Sequence, residues 1–148
     1  MRAIPSDLVS LFDAAEIAEI ESRTVPLSGD RTADALELAA GWAGRVDKLD
    51  RDRALPWSDR TVWNEHDLAG SLFVRDFLQQ ALNGLPETTR RKLAEWVGAA
   101  DQRFRGFTVD DPAGRMSRVA EVDLGGRGWW WRRVPDSGPI VEDLARYP

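Results

Sequence analysis

Met116-Ser117-Arg118-Val119-Ala120-Glu121-Val122-Asp123-Leu124-Gly125-Gly126-Arg127-Gly128-Trp129-Trp130-Trp131-Arg132-Arg133-Val134 is the stretch on which the fold class turns. Before it, apolar residues recur every three or four positions; within it they alternate, which is the period of a strand. Arg118, Ala120, Val122 and Leu124 fall on one face, with Val119, Glu121 and Asp123 on the other. The Gly125-Gly126-Arg127-Gly128 tetrapeptide is turn material, and Pro135 halts the second run. A symmetric turn then sets Leu124 opposite Trp129, Val122 opposite Trp131 and Ala120 opposite Arg133. On the reverse face it pairs Asp123 with Trp130, Glu121 with Arg132 and Val119 with Val134. A hairpin in this register satisfies charges and apolar groups together, and a slip of one residue destroys both matches.

Upstream, Phe107-Thr108-Val109 is β-prone and Asp110-Asp111-Pro112-Ala113-Gly114 is a turn. Four amphipathic segments precede them. The spacing of Leu8, Phe12, Ala15, Ile17 and Ile20 predicts a helix over about 7–22, and Leu38, Trp42, Val46 and Leu49 predict one over about 32–51. Ala54–Trp63, with Pro56 and two tryptophans out of period, reads as a loop. A wide apolar face from Leu68 to Leu82 predicts a central helix over about 65–83, stopped by Asn83-Gly84. Leu93, Trp96, Val97, Ala100 and Phe104 predict a fourth over about 87–103. The last residues, 139–147, close the chain with a turn or short helix.

The expectation is therefore an α+β fold: about four N-terminal helices packed on a small C-terminal antiparallel sheet of two or three strands. With 148 residues and roughly 150 per domain, a single domain over 1–148 is expected, its helical part about 1–104 and its hairpin part about 105–148. The absence of cysteine removes thiol nucleophiles, thiolate metal sites and disulfides, and places the chain in a reducing, cytoplasmic setting. No stretch is long and apolar enough for a membrane span, so no membrane partner is expected.

Charge is distributed unevenly. Residues 1–74 carry 14 acidic and 8 basic side chains, whereas 75–148 carry 11 and 12, giving −5 for the chain. An acidic balance disfavours generic binding to phosphate backbones and suits a basic protein partner. Asp13, Glu16 and Glu19, three apart, line one helix face and form a candidate docking stripe unless basic neighbours answer them.

Chemistry-bearing constellations are few. The sole histidine lies in Glu65-His66-Asp67, the weak catalytic candidates, where a base oriented by a carboxylate would need the two to converge. Consecutive helical residues point about 100° apart, and Asn64, Glu65 and Asp67 are equally the residues that cap a helix start. One imidazole without a thiolate supplies no ordinary transition-metal set, so neither metal nor other cofactor is expected. Asp110-Asp111 belongs to a Pro-Gly turn, and no serine sits in a Gly-x-Ser-x-Gly setting. In the hairpin register Trp130 stands apart from Trp129 and Trp131, beside Arg127 and Arg132, a composition found in binding hot spots.

These features favour a non-enzymatic, tryptophan-rich protein-binding module of immunity or antitoxin type, engaging a basic partner through Asp13, Glu16, Glu19, Arg127, Trp130 or Arg132. The rival is a small enzyme with a pocket around His66, lined by Trp57, Trp63, Glu65, Arg75 and Asp76. A third class is a nucleic-acid binder using Arg90, Arg91, Arg127 and Arg132 beside Trp130, which the net charge disfavours. An exposed hairpin edge would also serve a homodimer.

Overall fold

Seven helices and two two-stranded antiparallel sheets make up the described residues, 4–148, of the computed structural model. The helices are α1 (Ser6–Val9), α2 (Ala14–Ser22), α3 (Ala35–Asp52), α4 (Glu65–Asn83), α5 (Glu87–Phe107), α6 (Arg115–Ala120) and α7 (Pro139–Leu144). The strands are β1 (Thr24–Pro26), β2 (Thr32–Asp34), β3 (Thr108–Asp110) and β4 (Arg133–Pro135), and Trp129–Arg132 forms a 3₁₀ turn. The mixed helix-and-sheet class is as the sequence indicates, but its arrangement differs at three places. No helix among the described residues is long and apolar enough to cross a membrane.

The first difference is the single helix expected over 7–22, which is two. Asp13 leaves helical geometry (φ −80°, ψ 174°), and its carboxylate accepts from the Glu16 amide while the Glu16 carboxylate accepts from the Asp13 amide. That reciprocal box satisfies two amides that a helix start leaves orphaned, so the chain gains by breaking here. The second difference is that the sheets are not all C-terminal. Thr32–Asp34, read as the start of a helix, pairs as β2 with β1, Val25 opposite Ala33, before Asp34 and Glu37 repeat the capping box at the head of α3.

The third difference overturns the hairpin over 116–134. Met116 and Val119, three apart, are both buried on α6, and Glu121 ends that helix in the left-handed region (φ 55°). The alternating reading had placed Arg118 on the apolar face, so no face was cleanly apolar and the helical period prevailed. β4 pairs instead with β3, Val109 opposite Val134. Pro135 is harmless there, because the next bond of the ladder runs from the Asp136 amide to the Phe107 carbonyl.

The chain forms two compact units, whose boundaries fall inside α3, α4 and α5. One comprises the chain up to Gly44 with Val74–Asp101, and its buried side chains include Leu8, Ile20, Leu36, Trp42, Leu78, Leu93 and Val97. The other comprises Arg45–Phe73 with Gln102–Pro148, and buries Leu49, Leu68, Leu72, Phe104, Met116, Trp131 and Leu144.

Candidate functional site

The Glu65-His66-Asp67 candidates do not converge. Asn64 caps α4, its side-chain oxygen accepting from the amides of His66 and Asp67, while the Asp67 carboxylate accepts from the Asn64 amide at 3.0 Å. His66 is exposed on this first turn, and Glu65 is buried, its carboxylate accepting from Arg146 at 3.2 Å. Trp63 lies under Arg45 and Lys48, 5.2 and 5.8 Å from its ring centroid. In the other unit, Arg75 is committed to Asp101 by two bonds of 3.0 and 2.9 Å, and Asp76 is half-buried.

The acidic stripe is answered from within its own unit. Asp13 is the N-cap of α2, Glu16 receives Lys92 at 2.8 and 3.0 Å, and Glu19 pairs with Arg23. The Lys92 hydrogen bond, helped by the Asp13 amide, holds the Glu16 carboxyl below its usual range. A stripe whose members serve as a cap and two ion pairs has little unspent charge to offer a partner.

Trp130 is 4% exposed. A 3₁₀ turn advances three residues per revolution, so the three tryptophans diverge in three directions rather than alternating across a strand. Trp131 meets the Phe73 ring edge-on at 5.0 Å, Trp130 meets Trp129 at 5.7 Å, and Arg105 lies 3.9 Å above Trp129. Arg127 stacks over Trp131 at 5.2 Å and donates to the Asp123 carbonyl; Arg132 is exposed and reaches the Leu124 carbonyl at 3.5 Å. The structure therefore separates Arg132 from an accessible indole.

Two surface features were not assembled from the sequence. In the second unit the exposed indole is Trp57, 58% exposed, whose N–H donates to the buried Asp143 at 2.8 Å. Arg146 then bridges Asp143 and Glu65 at 3.1 and 3.2 Å. Asp143 and Arg146 carried no local signal, since only the return of α7 brings them to Trp57.

In the first unit, Leu11, Lys92, Glu95 and Trp96 line an apolar groove of about 330 Å³. Leu11, on the connection from α1 to α2, is 42% exposed. The Trp96 indole is fixed by its N–H bond to the Asp7 carboxylate at 2.9 Å. Lys92 is neutralised by Glu16, whereas Glu95 forms no ion pair with any described residue. The groove's unanswered charge is thus negative. It sits in the unit that holds the whole of the chain's net charge: 12 acidic against 7 basic residues there, 13 against 13 in the other.

No protein-family model matches this chain, and neither the curated proteins nor the solved structures contain a significant match to it.

Proposed function

We propose that this chain is a protein-binding module that docks a basic partner on its acidic unit, the partner inserting an apolar side chain into the Leu11–Trp96 groove while a neighbouring cation meets Glu95. The observation that carries this reading is the combination at one place of a pinned aromatic wall, the exposed Leu11 side chain and an unpaired carboxylate. An indole already held by Asp7 loses little entropy on binding, which is what makes tryptophan an efficient anchor. A net charge of −5 concentrated on this unit would steer a basic protein toward it and fall away with salt.

The reading keeps the partner class anticipated from composition and moves the contact from the Asp13–Glu16–Glu19 line to the groove beside it. Its test is capture from native lysate at low and high salt by the wild type, Leu11→Ser, Glu95→Lys and, as a control, Glu142→Lys on the other unit. A basic protein retained at low salt by wild type and control, and lost in the two groove variants, is the expected result. Capture indifferent to Leu11 and Glu95, or none at all, overturns it.

A further inference from the structure

A second groove on the same unit has the opposite character. Between α4 and α5, Arg75, Arg90 and Arg91 surround an apolar floor of Leu82, Ala94 and Val97, enclosing about 260 Å³. Asp101 is the acidic residue of that lining. Asp101 answers Arg75 and Glu87 answers Arg91, which leaves the charge of Arg90 over in a unit whose total is −5.

The arginines differ in how far they are committed. Arg75 is buried, bonded through two nitrogens to Asp101 and through a third to the Gln79 side chain at 3.1 Å. Asp101 also accepts the Trp42 indole N–H at 2.9 Å, so this end of the groove is a fixed polar wall. Arg91 pairs with Glu87 across one helical turn, with both side chains mostly exposed, an arrangement of small energetic worth. Arg90 is half-buried, and the contact the structure gives its guanidinium is the Leu85 carbonyl at 3.3 Å. Among the described residues no carboxylate neutralises it.

We infer that this groove is a binding site for a small monocarboxylate with an apolar body, its carboxylate on Arg90 and its hydrocarbon over Leu82, Ala94 and Val97. A guanidinium fork matches the two oxygens of a carboxylate, and the charge-assisted bonds replace a single long bond to a carbonyl. A phosphate monoester would also match the fork. It would bring nearly twice the negative charge against the field of an acidic unit. A cation is excluded by the arginines themselves, and the modest volume sets the size of the ligand to a short chain or a single ring. The inference is independent of the Leu11–Trp96 groove and stands or falls without it.

The experiment is a titration of the ¹⁵N-labelled full chain with hexanoate, and separately with hexylamine, which has the same tail and opposite charge. Saturable shifts confined to the Arg90 side chain and the amides of Leu82, Ala94 and Val97 are expected with hexanoate, and none with hexylamine. Arg90→Gln should weaken hexanoate binding at least about tenfold, the scale of one charged hydrogen bond. Ala94→Glu, an exposed helical position that should leave the fold intact by circular dichroism, places a like charge in the lining one turn from Arg90 and should abolish the shifts. Shifts that do not saturate, that scatter over surface arginines, that persist in either variant, or that hexylamine reproduces would overturn the assignment.

Discussion

Gly128 is needed for its missing side chain. A Cβ placed there would fall within the van der Waals envelope of the Trp130 ring, which is buried and braced edge-on by Trp129. Gly128→Ala is therefore expected to cost about 1–3 kcal/mol, the usual range for overpacking a core, read as a fall in the urea midpoint. An unchanged midpoint would mean that the ring can turn aside and that the 3₁₀ turn is not held by this approach. At Gly138 the demand is conformational as well: φ is +97°, and an added Cβ would stand 2.7 Å from the Arg53 Cα. Glu16 offers a different single-residue test. Its folded carboxyl titrates below the usual value chiefly through the Lys92 hydrogen bond, so Lys92→Met should move its midpoint upward, toward that value, in a carboxyl-detected NMR titration. A midpoint that stays put would show that the Asp13 amide and the Thr89 hydroxyl set it without Lys92. None of this was readable from residue type. That Trp130 is covered and Trp57 is not depends on whether residues 129–131 alternate or wind, and short apolar runs do not distinguish the two.

Helix starts carry the clearest local code in this chain. Asp13-Ala14-Ala15-Glu16, Asp34-Ala35-Leu36-Glu37 and Asn64-Glu65-His66-Asp67 each place a capping side chain three residues before a carboxylate that reaches back to the cap's amide. The pattern was present in the sequence, and at Asp13 it outweighs the continuous apolar periodicity that predicted one helix over 7–22. Asp13→Ala should remove the reason for the break and lose about 1 kcal/mol, measured by urea unfolding at neutral pH. Should the variant instead match wild type, the break would belong to the burial of Leu8 and Phe12 rather than to the cap. The long helices α4 and α5 were legible because their apolar faces persist over several turns; α4 spans the expected 65–83, and α5 runs four residues past its expected end. The strands were legible only in part: Phe107-Thr108-Val109, read as β-prone, overlaps β3, whereas β1, β2 and the pairing of β3 with β4 were not anticipated. Each has three residues, too few for alternation to register, and β3 finds β4 across more than twenty intervening residues, where no local signal specifies the partner.

At the scale of the whole chain, the two units hold charge in different ways. The first keeps a surplus of five carboxylates, and the second has thirteen acids and thirteen bases, several of them joined through shared partners. Arg103 joins Asp47 and Asp50 at 2.8 and 2.9 Å, and Arg53 joins Asp50 and Asp136 at 2.7 and 2.8 Å. At Asp47 the Arg103 bond is the main cause of a carboxyl held below its usual range. At Asp50 burial pushes the carboxyl upward, yet the bonds from Arg53 and Arg103 together prevail and the net direction is down. Asp136 is lowered first by its bond from Ser137 and then by Arg53. Carboxyls depressed in the folded state bind fewer protons folded than unfolded. Their contribution is complete above the ordinary carboxylate pKa of about 4 and is lost as pH falls through the depressed values. Unfolding free energy should therefore be flat from neutral pH to about 5 and fall steeply below 4. Arg103→Gln should reduce stability at pH 7 by about 1 kcal/mol or less, since these pairs are partly exposed, and should also flatten the acid limb, because Asp47 and Asp50 would titrate nearer their unfolded values. Urea unfolding of both proteins at several pH values between 2.5 and 7 decides the matter. Parallel acid limbs would place the proton uptake elsewhere, and converging ones would assign it to this arginine-bridged cluster.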